Sequence, residues 1–479
     1  MSKFHTTVSR RDFMKGIGLA GAGLGAAAAT TPVFHDLDEL ASAPVGGPDH
    51  PWYVKELELE KPTVEIDWGG RYQRIDRTRK VLGTRYPLTA TSSAHAKLHE
   101  QMAATREKNN TEYKTQWMRE HFSKCESYQG PSIRDYALTG ATAVSFGRGP
   151  SAPIASVSSL GVITAPQGGE IVIRTPESRG MTKWTGTPEE NLRMMTSAAR
   201  FYGASDVGCV PFTANTRMLI HLNSGSGRPY NFKDVDEAEV TDTEFVIPNK
   251  FSNTLFFSTL EADQARVAPA PNWSGYDLYT RVKLRIHYFL GAIGYHHIEV
   301  GCNSNPFAVM CGVAEHSRAS MIGTSPRYGN MLRGMHRIVT DLPLAPTHPI
   351  DAGIARFCVT CKKCAEACPY ECLPMGDQSW THENPEEERL QNYTPGFKGW
   401  RLYNFKCPRC KNCHTSCPFN ALPDASIHAV IRATAATTSI FNGFLASMYD
   451  TFGYGTRNPD DWWEENVPTG RHNPSWLKH

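Results

Sequence analysis

The 479-residue chain carries no surplus of charge: 50 Lys and Arg stand against 48 Asp and Glu, a net of +2. With no basic excess and no long basic run, the electrostatic footprint of a nucleic-acid-binding protein is missing, and no nucleic-acid partner is expected. There is no G-x-G-x-x-G element in a strand–turn–helix context and no Walker A lysine motif, so nucleotide cofactors lack their usual phosphate cradle. Past the amino-terminal leader, no stretch has the length and purity of a membrane-crossing helix. The nearest candidate, Ile427 to Met448, contains His428, Arg432 and many Thr and Ala residues, and reads as a packed helix. If the protein sits at a membrane, a partner must hold it there.

What the chain does have is cysteine in one place, nine of thirteen lying between Cys358 and Cys417. Two copies of one pattern fall there, Cys358-x2-Cys361-x2-Cys364-x3-Cys368-Pro369 and Cys407-x2-Cys410-x2-Cys413-x3-Cys417-Pro418. Two-residue gaps let a tight loop fold three thiolates around one face of an iron–sulfur cube, while the fourth cysteine opens a diverging helix. That is the signature of a bacterial two-cluster ferredoxin, in which the fourth ligand crosses over. One [4Fe–4S] cluster is expected on Cys358, Cys361, Cys364 and Cys417, and the other on Cys407, Cys410, Cys413 and Cys368. Zinc sites favour C-x2-C pairs with longer separations, and disulfides have no need of a duplicated three-plus-one spacing. Cys372 is a ninth thiol that leaves the fourth ligand of the second cluster slightly ambiguous. Cys125, Cys209, Cys302 and Cys311 are scattered, and the default for each is a small buried hydrophobe.

Ser9-Arg10-Arg11-Asp12-Phe13-Met14-Lys15, followed by the Gly/Ala-rich run Gly16 to Ala29, reads as a twin-arginine export signal. The run is too short to cross a bilayer. Ala41-Ser42-Ala43 has the spacing of a cleavage site, which places the mature start near residue 44. The twin-arginine route moves proteins already folded around their cofactors, so metal ligands loaded before export explain cysteines that an oxidising compartment would otherwise turn into disulfides.

The expected organisation is a signal peptide over 1–43, an N-terminal wrapping region over 44–175, an α/β core over 176–345, a ferredoxin-like domain over 346–430 and a C-terminal helix with an aromatic tail over 431–479. Pro44 to about Arg85 is polar and rich in Pro and Gly, as an extended strap would be. Ala94 to Phe122 reads as one or two surface-facing helices. Pro188 opens a helix with Glu189 and Glu190 in its first turn and Leu192, Met195 and Ala199 as its apolar stripe, ending at Gly203. Strands are predicted at Asp206–Val210, Phe245–Ile247, Ile298–Val300 and Ile338–Thr340. A helix is predicted through Leu278, Val282, Ile286 and Phe289, and a short one over Phe307–Ala314. Alternating helices and strands indicate an α/β layer domain.

The twin-arginine leader, α/β middle and duplicated ferredoxin motif together resemble the respiratory reductive dehalogenases, the corrinoid-dependent enzymes of organohalide respiration. The matching stretches are Ala199–Ala204 with Asp206–Gly208, Gly294-Tyr295, Pro306–Ala308, Gly312 to Arg318, Tyr328-Gly329, Thr340–Leu344 and Trp462-Trp463, and the match runs essentially end to end. The resemblance implies a base-off cobamide in a core related to nitroreductase-like B12 domains, with one cluster close enough to reduce cobalt. The D-x-H-x-x-G motif of many other B12 enzymes is absent here, as it is in the family: none of the eighteen histidines has a Gly three residues later.

Also implied is a tyrosine that supplies a proton while a basic neighbour favours its phenolate form. The family's donor position falls on Tyr276, nineteen residues before Tyr295, with Tyr279 as the fallback. The cation is Arg333 or Arg318, and the family's polar asparagine maps near Asn303, in a stretch shorter than the family pattern. The activity implied is replacement of a carbon-bound halogen by hydrogen, or removal of two halogens to give an alkene. The implied setting is the outer, periplasmic face of the cytoplasmic membrane, with an integral membrane anchor protein, an upstream respiratory electron donor and a halogenated small-molecule substrate as partners. Two readings compete. One is a non-catalytic iron–sulfur electron-transfer subunit; the other is epoxyqueuosine reductase, against which the export signal and balanced charge argue.

Overall fold

The strand Asn253–Leu260 carries no polar–apolar alternation because all eight of its side chains are buried, the mark of a strand covered on both faces. In the computed structural model, which describes residues 46–76, 93–122, 125, 162–164, 170–173, 175–224, 227–261, 273–320, 323–383, 395–404, 406–420 and 427–452, this strand lies inside the main sheet. The leader, its cleavage region and the tail around Trp462 and Trp463 lie outside the described residues.

The strap enters through β1 (Lys55–Glu56), which pairs antiparallel with β11 (Ile350–Asp351) just ahead of the cysteine motifs. Arg74 then fastens the strap to the core by donating to the carbonyls of Ile220, His221 and Tyr230. Helix α1 (Ser93–Glu112) runs on through a π turn at Tyr113–Trp117. It is not simply surface-facing: Tyr113, Met118 and Phe122 are buried against Tyr370 and Cys410, and Tyr113 donates to Asn412 in the second cysteine loop at 3.2 Å. A hairpin of β2 (Val162–Thr164) and β3 (Glu170–Val172) follows.

Helix α2 (Pro188–Tyr202) forms where its capping signals place it. Thr187 accepts from the Glu190 amide while Glu190 accepts from the Thr187 amide, a reciprocal capping box, and Gly203 closes the helix in the left-handed region at φ 111°. Strand β4 (Asp206–Pro211) follows. A side sheet of β5 (Tyr230–Lys233), β6 (Glu239–Val240) and β7 (Phe245–Pro248) then takes the Phe245–Ile247 stretch out of the main layer. The main sheet is antiparallel, in the spatial order β4, β8 (Asn253–Leu260), β10 (Leu332–Thr340), β9 (His297–Ile298).

Helices α2 and α3 (Trp273–Ala292) cover one face of this sheet. Leu192, Met195, Val207, Leu255, Phe257, Val282, Ile286, Leu290 and Ile338 form that core. On the opposite face α4 (Ser304–Met310) and the side sheet bury Val210, Phe256, Phe307, Met310 and Val339. Each fully buried side chain of this size contributes about 1.5–3 kcal/mol relative to exposure. The observed class is mixed α/β followed by a cysteine domain.

In that domain α5 (Ile354–Cys361) packs on α6 (Ile427–Thr437) and α7 (Asn442–Phe452) through Phe357, Ile431, Ala435 and Leu445. The single helix expected over Ile427 to Met448 is therefore two, with Asn442 donating to the Ser439 carbonyl at the break. Among the described residues, no helix is long and apolar enough to cross a membrane.

A bulge interrupts β10 between Arg333 and His336. Gly334 sits in it at φ 64°, and an added Cβ would meet Tyr279 and lie 2.7 Å from Thr259 Oγ1. Gly334→Val combines a left-handed strain of about 1–3 kcal/mol with overpacking of similar size. It is expected to lower the apparent Tm of anaerobically purified protein by several degrees, whereas an unchanged melting curve would contradict this packing.

Candidate functional site

Tyr276 stands in the first turn of α3, on the rim of the core, with 36 % of its surface exposed. Gly275 before it is buried, and a Cβ there would lie 2.8 Å from Arg333 Cγ, so the helix start rests directly on that arginine. Arg333 opens the bulged end of β10. Its guanidinium carbon is 5.5 Å from the centre of the Tyr276 ring, and its Nε donates to Glu261 Oε2 at 3.0 Å. Burial opposes the charge on Arg333, but Tyr276 and Glu261 outweigh it and the guanidinium is held above its ordinary range. Its Nη2 is buried without a hydrogen-bond partner. Tyr279, one turn further on, is engaged elsewhere: its hydroxyl lies 3.1 Å from His336 Nδ1.

The two candidate cations are thereby separated. Arg318 is fully buried, and its guanidinium donates to the carbonyls of Cys358 at 3.0 Å, Pro374 at 2.6 Å, Gly376 at 2.8 Å and Val359 at 3.4 Å, over the Trp400 ring. It clamps the first cysteine loop to the core, and Arg333 is the cation beside Tyr276. Asn303 takes the N-cap position of α4 with φ −78° and ψ 139°, and its side chain does not cap the helix.

Cys358, Cys361, Cys364 and Cys417 line one small pocket together with Phe357, Phe419 and Arg318. Burial, and then the neighbouring sulfurs, push the Cys364 and Cys417 thiols well up, where four sulfurs share one pocket. Such a donor set fits a metal cluster. In the second group burial, and after it Cys410, Cys407 and Cys368, raise the Cys413 thiol in the same way. Cys372 joins this second group: its amide donates to Cys368 Sγ at 3.2 Å, and its thiol packs with Cys368 and Cys407.

The second cysteine loop is also the neighbour of Arg333. Burial, and next Arg333, hold the Lys411 ammonium well below the usual lysine range, while Glu261 pulls the other way. His414 is kept neutral by burial and by Arg333 and Lys411, and its Nε2 is buried without a partner. Glu261 and Lys411 carry no sequence signal as site residues. Glu261 is only the acidic residue that follows a fully buried strand.

Glu315 holds the other cysteine loop. It accepts from Thr63 at 2.8 Å and from the amides of Ala352 at 2.7 Å and Ile354 at 3.1 Å, at the start of α5. Burial, against those three donors, pushes its carboxyl up from 4.5 to about 7. The folded state therefore binds this proton more tightly than the unfolded chain. The resulting stabilisation is complete below 4.5 and lost as pH rises to about 7, a swing of roughly 3 kcal/mol. Glu315→Gln keeps the acceptor and can donate to Thr63, so its Tm is expected to fall less than that of the unmodified protein between pH 5 and 7.5. Parallel melting profiles would contradict the assignment.

Comparison with known proteins gives a consistent picture. A family model described as a reductive dehalogenase subunit matches residues 49–222, and one described as a 4Fe-4S dicluster domain matches residues 357–421. The trichloroethene reductive dehalogenase of Dehalococcoides mccartyi (strain ATCC BAA-2266 / KCTC 15142 / 195) is 31 % identical over 97 % of this chain and 98 % of its own length. The tetrachloroethene reductive dehalogenase of Sulfurospirillum multivorans is 28 % identical over 60 % of this chain and 61 % of its own. Among solved structures, the catabolic reductive dehalogenase NpRdhA, in its K488Q variant, shares the fold with a TM-score of 0.52 at 16 % identity. That match covers 88 % of this chain and 52 % of the larger protein.

Proposed function

The chain belongs to the reductive dehalogenases, and on that footing we propose that Tyr276 is the proton donor of a reductive dehalogenation fed with electrons through the cysteine domain. Replacing a carbon-bound halogen by hydrogen consumes two electrons and one proton and releases a halide ion. Cys358, Cys361, Cys364 and Cys417 would hold one [4Fe–4S] cluster and Cys407, Cys410, Cys413 and Cys368 the other, the crossed arrangement of two-cluster ferredoxins. When bound, the clusters supply single electrons and the family's corrinoid supplies low-valent cobalt chemistry toward the carbon–halogen bond. Arg333 Nη2 and His414 Nε2, both buried without partners, are the nitrogens that fit a polar ligand entering beside Tyr276.

Tyr276 holds the proton at its phenol oxygen. Arg333 supplies the positive charge that the phenolate needs once the proton has left, and Glu261 fixes the guanidinium and shares its charge. Arg318 and Glu315 position the first cysteine loop without touching the reacting atoms. The observation that carries this reading is Arg333, buried and oriented by Glu261 under the Tyr276 ring, in electrostatic contact with the second cysteine loop.

The twin-arginine leader supports delivery to the outer face of the cytoplasmic membrane, where an integral membrane protein would anchor the enzyme and a respiratory donor would reduce it. The near-full-length relatives are named for trichloroethene and chloroethene, so chlorinated ethenes are the first substrates to try. Protein matured with cobamide and reduced anaerobically by a viologen should release halide from a panel of chloroethenes and chlorophenols. Intact clusters and bound cobamide with no halide released from any member would sink the reading.

A further inference from the structure

Further along α3 and β10 from Tyr276 and Arg333, a second polar cluster has no part in that chemistry. His287 lies three helical turns along α3 from Tyr276, His336 lies three residues beyond Arg333 on β10, and Glu299 directly follows β9. One ligand atom from each falls within 4.8 Å of the others. Both histidines are fully buried, and three of their four ring nitrogens, Nδ1 and Nε2 of His287 and Nε2 of His336, have no hydrogen-bond partner. A buried polar atom left unsatisfied is destabilising, so three in one spot call for an occupant. His336 Nδ1 meets the Tyr279 hydroxyl at 3.1 Å, an outer contact of the kind that orients a metal-binding imidazole.

We propose that His287, Glu299 and His336 bind one divalent transition-metal ion of the zinc type, tying α3 to β10 within the core. Two imidazoles and a carboxylate are a borderline donor set suited to zinc, with a fourth position left for water. Burial keeps both imidazoles neutral, which is the form that binds metal. Lys283 is the competitor: its ammonium, itself buried, lies 3.0 and 3.1 Å from the two Glu299 oxygens and supplies the carboxylate with a cation while the ion is away. Metal entry must displace that ammonium or strip its proton, so removing Lys283 should strengthen binding.

The test uses the full chain carrying its clusters, incubated anaerobically with zinc sulfate, desalted, and assayed for zinc and iron together. About one zinc per chain is expected, with iron unchanged, and near none in the His287→Ala/His336→Ala double variant. In Lys283→Met, zinc should bind about tenfold more tightly, since an adjacent charge no longer competes. Zinc absent from both the unmodified protein and Lys283→Met would overturn the proposal. So would zinc that persists in the double variant, which would place the ion on the cysteines. Should the double variant fail to fold, the Lys283→Met affinity still decides. The readout is metal content, so it stands or falls separately from the dehalogenation reading.

Discussion

Tyr276→Phe should lower kcat for halide release by about 10²–10⁴-fold while leaving iron and cobalt content unchanged. The variant removes one oxygen from a half-exposed ring, so the α3 core below it, Val282, Ile286 and Leu290, is untouched and the fold should survive. Tyr279→Phe is the control. Its hydroxyl is committed to His336, and its loss should reduce turnover far less. Arg333→Gln should fall between the two, because the phenol remains but the buried charge beside it, and its ion pair with Glu261, are gone. If Tyr276→Phe turns over at the unmodified rate with both cofactors in place, Tyr276 is not the donor, and a large defect in Tyr279→Phe would move the role there.

Cys417→Ala should abolish turnover by emptying the cluster site of the first motif, although Cys417 belongs to the second. Its sulfur lines the cavity of Cys358, Cys361 and Cys364. Iron should fall from about eight to about four per chain, one [4Fe–4S] cluster's worth. The cluster that remains should be the one held by Cys407, Cys410, Cys413 and Cys368. Loss of that second cluster instead, shown by removing Cys407 in the same background with no further loss of iron, would contradict the crossed ligand set.

The parts of this molecule that were legible in its sequence are those in which spacing alone constrains geometry. Eight cysteines at fixed intervals mark two loops, and Thr187 to Gly203 carries a complete set of helix signals, from capping box to left-handed glycine. The strand Asn253–Leu260 escaped because a strand buried on both faces loses the period-two pattern. The break between α6 and α7 escaped because Thr438 to Phe441 holds no proline or glycine, and Asn442 sets it through a turn contact. Arg318 and Arg333 are equivalent on paper. Only the fold shows one spent on four carbonyls of the cysteine domain and the other set under a phenol. Glu261 and Lys411 become neighbours of that arginine through chain reversals that no local pattern encodes.

Metal content after maturation with cobamide tests most directly whether the cysteine domain feeds electrons to a cobamide beside Tyr276 and Arg333. About one cobalt with about eight irons per chain is the predicted result, the iron being that of two [4Fe–4S] clusters. Eight irons with no cobalt would contradict it and leave the chain an electron carrier.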